Sequence, residues 1–260
     1  MADIIGLMKF FKKNKINSDT SFTFTSADTD TSIYLYDNIR STKVYSVGSD
    51  DLTPEVFIFE FGSAITVDNI FIDNHNIKSG KIEYWNGAAY VDFSTPIAWS
   101  NNSDTTNYYD FTQVSTLKLK LTMDTTMVVD AEKFVGELRF LEEIGTVETN
   151  PAEFNHDYVQ TAATYSRANG GSTYISFGEK FMATILFSDA STNDMTLFRS
   201  LRDLNEEFYV YTCGGTSTSD QEGFRLRDMY LVNYVNNFKP ELKNQILNIG
   251  TRIRMIVEEV

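Results

Sequence analysis

The chain has 260 residues with 22 basic and 36 acidic side chains, a formal net charge of −14. That charge excludes wrapping of nucleic acid, because neutralising phosphates needs clustered Lys and Arg. One cysteine, Cys213, leaves no internal disulfide, and two histidines argue against a His-based zinc site, while 42% hydrophobic and 14% aromatic residues are enough for a sizeable core.

The chain starts "MADIIGLMKFFKKNK", apolar residues first and basic ones after, the reverse of a secretory leader and too short to span a bilayer. Residues 1–19 read as an N-terminal arm that packs on this chain or on a neighbour, with a membrane-surface helix as the alternative.

From about Thr20 to Leu141 the pattern is all-β. "SFTFTSA" alternates Phe22 and Phe24, and "EVFIFEFG" sets Phe57, Phe59 and Phe61 against Val56, Ile58 and Glu60. "STLKLKLTM" sets Leu117, Leu119 and Leu121 against Lys118 and Lys120. Period-2 runs bounded by Gly, Pro, Asn and Ser clusters indicate half-buried strands at sandwich spacing. "FIDNHNIKSGKIEYWNGAAYVDF" reads as strand, polar hinge at Asn74, His75 and Asn76, a second strand through Trp85, a Gly turn and a third strand.

Several residues here invite a functional reading. Trp85 sits in an alternating strand and is assigned to packing. Trp99, Tyr108 and Tyr109 flank the polar loop "SNNSDTTNYYD" and are the better glycan-contact candidates. His75 is read as a turn residue bonded to backbone. Asp37, Asp50, Asp51 and Asp73 raise calcium as the one ion these loops could hold, but no D-x-D-x-D-G ladder is present and no cofactor is expected.

"EEIGTVETNPAEFN" loses periodicity, so residues 146–152 read as a linker between a domain at 20–145 and another at 153–260. Residues 1–150 carry 12 basic against 22 acidic side chains, and residues 151–260 carry 10 against 14, so the acidity is concentrated in the first half.

In the second half "STYISFGEKFMATILFSD" reads as two strands around Gly178. "STNDMTLFRSLRDLNEE" reads as a helix capped by Ser191 or Thr192, with Leu197, Leu201 and Leu204 on one face. "FYVYTCGG", "FRLRDMYLVNYVNNF" and "GTRIRMIVEEV" follow as strands, giving an α+β sandwich or barrel with one packed helix. "CGGTSTSDQEGF" lacks the Lys-Ser/Thr of a phosphate loop and is read as a hairpin tip. Arg225, Arg227, Arg252 and Arg254 alternate along two strands and are assembly-contact candidates, on edges that lack proline before Pro240.

Catalysis is not expected. Neither His75 nor His156 lies in a nucleophile or oxyanion motif, no carboxylate pair is recognisable, and Cys213 reads as a small buried hydrophobe.

Two resemblances add to this. "YDNIRSTKVYSVGS", "TPEVFIFEFGSAITVDNIFIDNHNIKSGKIEYWNG" and "VGELRFLEE" resemble the discoidin or galactose-binding-like β-sandwich, whose ligands sit in loops at one end. The second half, with its strand–helix–strand order, G-G loop, "FRLRDMYL" return strand and acidic terminus, resembles the domain of phage tail-tube, baseplate-hub and distal tail proteins. Together they imply a mainly-β virion protein, ring-forming in a tail, baseplate or connector and assembled in the host cytoplasm. Its partners would be copies of itself and other virion proteins, with no membrane span and no nucleic-acid sequence recognition. The alternative they imply is a carbohydrate-binding adhesin with host glycan as ligand.

Overall fold

The structure is a computed structural model that describes residues 7–39, 41–47, 51–148, 153–166, 172–204, 206–211, 229–234, 241–245 and 248–259. Its described residues are mainly β and form two antiparallel sheets of eight strands each. The chain divides into two compact units, Lys13–Glu143 and a second made of Met1–Lys12 with Ile144–Val260. Residues 1–19 therefore do not act as one arm. β1 (Lys9–Phe11) is a strand of the second unit, and Lys13 onward belongs to the sandwich.

The sandwich unit holds β2 (Ser21–Phe24), a 3-10 turn (Thr29–Leu35), β3 (Val44–Tyr45), β4 (Glu55–His75), β5 (Ile77–Trp85), β6 (Tyr90–Val91), β7 (Ile97–Trp99), β8 (Asn107–Thr126) and β9 (Phe134–Leu141). The sheet order is β3-β9-β4-β8-β5-β6, with β2 on β4 and β7 on β5. β4 and β8 are long and pair with each other along most of their length. Their register slips between Glu60 and Ile65 and again between Val67 and Asn69, bulges of the kind that bend a strand.

The bend brings both halves of β4 onto one core. Phe57 and Phe59 from the first half, Ile70 and Ile72 from the second, and Leu119, Leu121, Leu138 and Phe140 are all fully buried in it. Phe59 meets Phe140 edge-on at 5.1 Å between ring centres, the favoured aromatic geometry. The alternation expected in "EVFIFEFG" is the one seen, with the three phenylalanines inward and Glu60 exposed, paired to Lys118 at 3.0 Å. Leu117 departs from it: at 43% exposure it lies beyond the buried stretch.

The second unit adds β10 (Glu143–Thr146), β11 (Glu153–Ser166), β12 (Ser172–Ala190), α1 (Thr192–Leu204), β13 (Phe208–Tyr211), β14 (Met229–Tyr234), β15 (Glu241–Gln245) and β16 (Asn248–Glu259). Their order is β10-β1-β13-β14-β16-β12-β11, with β15 on β16. The segment from Lys13 to Glu143 is thus inserted between two strands of one sheet. Gly178 does not split its strand. β12 runs through it, with a register slip against β11 at that point: Thr161 pairs with Gly178 and Ala162 with Ser176.

α1 starts where the sequence places it. Asp194 N–H donates to Ser191 Oγ and Ser191 N–H donates to Asp194 Oδ2, both at 3.0 Å, a reciprocal capping box. Leu197, Phe198 and Leu201 are buried, and Phe198 lies against Phe10 and Phe187 at 6.0 and 4.8 Å. Gly145 passes close to the helix, where a Cβ would come within 2.8 Å of Leu197 Cδ1.

Arg225, Arg227 and Cys213 lie outside the described residues, as do the whole of "CGGTSTSDQEGF" and both ends of "FRLRDMYLVNYVNNF". Arg252 and Arg254 are on β16, opposite Glu241 of β15 and Leu186 of β12. β16 is flanked by β14 and β12, so the expectation of a free terminal strand edge is corrected: its backbone ladder is already paired.

Candidate functional site

One end of the sandwich gathers the polar residues that the sequence reading singled out. β4 closes at His75, Asn74 adopts φ +52°, and β5 restarts at Ile77. Burial of His75 is complete. Its Nδ1 accepts from Ile77 N–H at 3.1 Å, which places the proton on Nε2, facing Asn107 Oδ1 at 2.7 Å. Burial drives its pKa down to about 4, against the weaker opposing pull of the Asn107 hydrogen bond and of the Asp73 and Asp104 charges. This imidazole is neutral and structural.

The hydrogen bonds around His75 fix the loop between β7 and β8. Asn102 Nδ2 donates to Ile77 O at 3.0 Å and to Asp104 O at 2.8 Å, while Asn102 N–H donates to Lys78 O at 2.9 Å. His75 N–H donates to Thr105 O at 3.1 Å, and the Thr106 hydroxyl donates to Asp73. Asn101 sits in the left-handed region at φ +57°, a conformation that asparagine tolerates better than most residues. The polar loop is pinned at four or more points to β4 and β5.

Trp99 and Tyr109 flank this loop. Their rings stack at 5.7 Å and 19°, half-buried on the rim of the core. Gly80 makes room, because it pairs with Trp99 across β5 and β7 and a Cβ there would lie 2.4 Å from Thr122 O and 3.4 Å from the indole. Burial, aided by the Asp104 charge, pushes the Tyr109 hydroxyl well above its ordinary pKa. The Trp99 Nε1 donor is buried and has no hydrogen-bond partner among the described residues.

Tyr108 is separated from this pair. It is the next residue along β8, and its hydroxyl donates to Asn69 Oδ1 on β4, so its polar end is already committed. Trp85 lies elsewhere, packed edge-on against Tyr90 at 5.2 Å across the β5–β6 turn with Lys118 over its ring. The sequence reading thus names two residues of the aromatic pair but misses its frame: Asn102, Asn107 and Gly80. Asn-rich loops are too common for those amides to stand out.

The acidic residues weighed for calcium do not form one group. Asp51 Oδ1 accepts from Thr126 N–H at 2.9 Å and from the Thr126 hydroxyl at 3.0 Å, tying two loops together. Asp50 lies outside the described residues, among which no cluster of three or more His, Cys, Asp or Glu has metal-binding spacing. Among them, too, no helix is long and apolar enough to cross a membrane.

No protein-family model and no curated relative matches the sequence. Solved structures do show likeness. Over 50% of its length the chain is similar to a selenomethionine-labelled mutant of chitosan-binding module 1, from a chitosanase/glucanase of Paenibacillus sp. IK-5 (TM-score 0.43, 13% identity, 99% of that module). Over 52% it is similar to the family 32 carbohydrate-binding module of C. perfringens NanJ in complex with galactose (TM-score 0.41, 18% identity, 99% of that module). A pectin-binding carbohydrate-binding module matches 46% of the chain (TM-score 0.36, 17% identity, 88% of that module). At such scores, nothing about this chain's ligand follows from the likeness.

Proposed function

We propose that the sandwich unit is a saccharide-binding module and that its site is the loop end framed by Trp99 and Tyr109. The observation that carries this reading is the stacked pair beside a loop held rigid by His75, Asn102 and Asn107. Sugars present C–H faces to aromatic rings and hydroxyls to fixed donors and acceptors, and a prearranged loop lowers the ordering cost of binding them. Ser100, Asn101, Ser103 and Thr105 are exposed on that loop and supply such groups. The reading is one of binding and not of catalysis: the histidine at this end is buried and neutral.

A glycan microarray probed with the whole chain and with Trp99→Ala tests it. The reading expects retention of at least one saccharide class by the parent and its loss in the variant, with the second unit's folding unchanged. Absence of any bound saccharide across neutral, amino and acidic sugars would overturn it.

A second reading, the ring-forming virion component, is favoured by one observation. β11 is a 14-residue strand without proline at the end of the strand order, and an open ladder of that length recruits partners. Native mass measurement on the whole chain separates a closed oligomer from a monomer.

A further inference from the structure

Away from the proposed saccharide site, the turn between β5 and β6 exposes Asn86, Gly87, Ala88 and Ala89. Asn86 N–H donates to Ala89 O at 3.0 Å and closes the hairpin, on which Tyr84 pairs with Val91 and Trp85 with Tyr90. The Asn86 side chain folds back over the turn. Its Oδ1 accepts from both Ala88 N–H and Ala89 N–H, each at 3.0 Å. Two backbone donors converging on one carbonyl oxygen are the arrangement that stabilises an oxyanion.

The residue after this asparagine is a glycine. Gly87 has φ +102°, a conformation that suits glycine and strains other residues, and a Cβ built on it would meet no described atom within 4 Å. No side chain therefore screens its peptide nitrogen, and water reaches the Asn86–Gly87 bond. Asn17 and Asn102 accept similar bonds, from Asp19 N–H at 2.8 Å and Asp104 N–H at 3.2 Å. Each of these is followed by a serine, Ser18 or Ser103, whose side chain crowds the peptide nitrogen.

We propose that Asn86 is a site of spontaneous deamidation in the folded protein and that the β5–β6 turn assists the reaction. Hydroxide takes the Gly87 amide proton, and the nitrogen lone pair forms a bond to Asn86 Cγ. The carbonyl π pair moves onto Oδ1, where the Ala88 and Ala89 N–H groups stabilise it. That pair returns as the Cγ–Nδ2 bond breaks, and Nδ2 takes a proton from water and leaves as ammonia. Water then opens the cyclic imide at either carbonyl, giving aspartate or isoaspartate, with nothing oxidised or reduced. Either product adds a negative charge next to Trp85, over whose ring Lys118 Nζ lies at 6.0 Å. Isoaspartate also routes the main chain through the side-chain carbons. The closing Asn86–Ala89 bond then no longer fits, and Trp85 shifts from its edge-on contact with Tyr90 at 5.2 Å.

Peptide mapping by mass spectrometry tests this on the whole chain, incubated folded and in guanidinium chloride at the same pH and temperature. The proposal expects Asn86 to convert about tenfold faster folded than unfolded, because its two donors are in place only in the turn, where water weakens them below their value in a closed site. The folded rate should rise in proportion to hydroxide. Aged parent should also show a second indole N–H resonance for Trp85, and aged Asn86→Gln, whose longer side chain disfavours ring closure, should not. A folded rate equal to or below the unfolded one overturns the proposal. So does conversion of Asn17 or Asn102 as fast as that of Asn86 in the folded chain, since the glycine and the paired donors would then have no effect.

Discussion

Acid should weaken the sandwich unit through a single side chain, His75. The imidazole is fully buried and uses its neutral form twice, accepting from Ile77 N–H and donating to Asn107. Its pKa falls from 6.5 to about 4 on folding, so the folded state binds fewer protons than the unfolded one and the stability it contributes is lost as pH falls. The loss begins below the unfolded value near 6.5 and is complete below about 4. Between pH 7 and 5 it amounts to about 2 kcal/mol, and by pH 4 to about 3 kcal/mol, from 1.36 kcal/mol per pH unit across the gap. Ordinary carboxylates also take up protons near pH 4, so the comparison that isolates the His75 contribution is with His75→Gln. Urea unfolding followed by indole fluorescence at pH 7, 5 and 4 should show the parent losing about 2–3 kcal/mol more than the variant. A parent–variant difference that stays constant over this range would refute the assignment of His75 as a buried neutral group.

Further outcomes follow from other contacts. Gly80→Ala drives a Cβ into Thr122 O and against Trp99, and should destabilise the sandwich by about 1–3 kcal/mol and change the indole emission; an unchanged denaturation curve would count against the close approach. Ser191→Ala removes half of a capping box and should lower the stability of the second unit by about 1 kcal/mol, measured by helical circular dichroism during urea unfolding. Chelation by EDTA should leave the sandwich melting temperature where it is, because N–H and O–H donors occupy the Asp51 oxygens; a clear drop would establish a resident ion.

What was legible in the sequence was local. The alternation in "EVFIFEFG" identifies the buried face because the strand is long and its outward positions are polar, and "STND" announces the helix because Ser191 and Asp194 stand at capping-box spacing. What was not legible depended on distant pairing. β1 is three residues long and finds its partners at Tyr209–Tyr211, so nothing in "KFF" itself marks it as a strand of the second sheet. The insertion of the sandwich between β1 and β10 follows from that pairing, where the local sequence suggests only an arm and a linker. Within the proposed saccharide site, Trp99 and Tyr109 stand out as aromatics beside a polar loop, whereas Gly80 acquires its role only through β7 lying across β5.

The central claim, that a saccharide docks at the Trp99–Tyr109 end, is tested most directly by the two indole N–H resonances of the 15N-labelled chain, one from Trp85 and one from Trp99. Titration with a saccharide retained on the array should shift the Trp99 resonance progressively and leave that of Trp85 in place, since Trp85 packs on Tyr90 at the β5–β6 turn and is absent from the proposed site. Movement of the Trp85 resonance alone, or of neither, while the sugar demonstrably binds, would contradict the account.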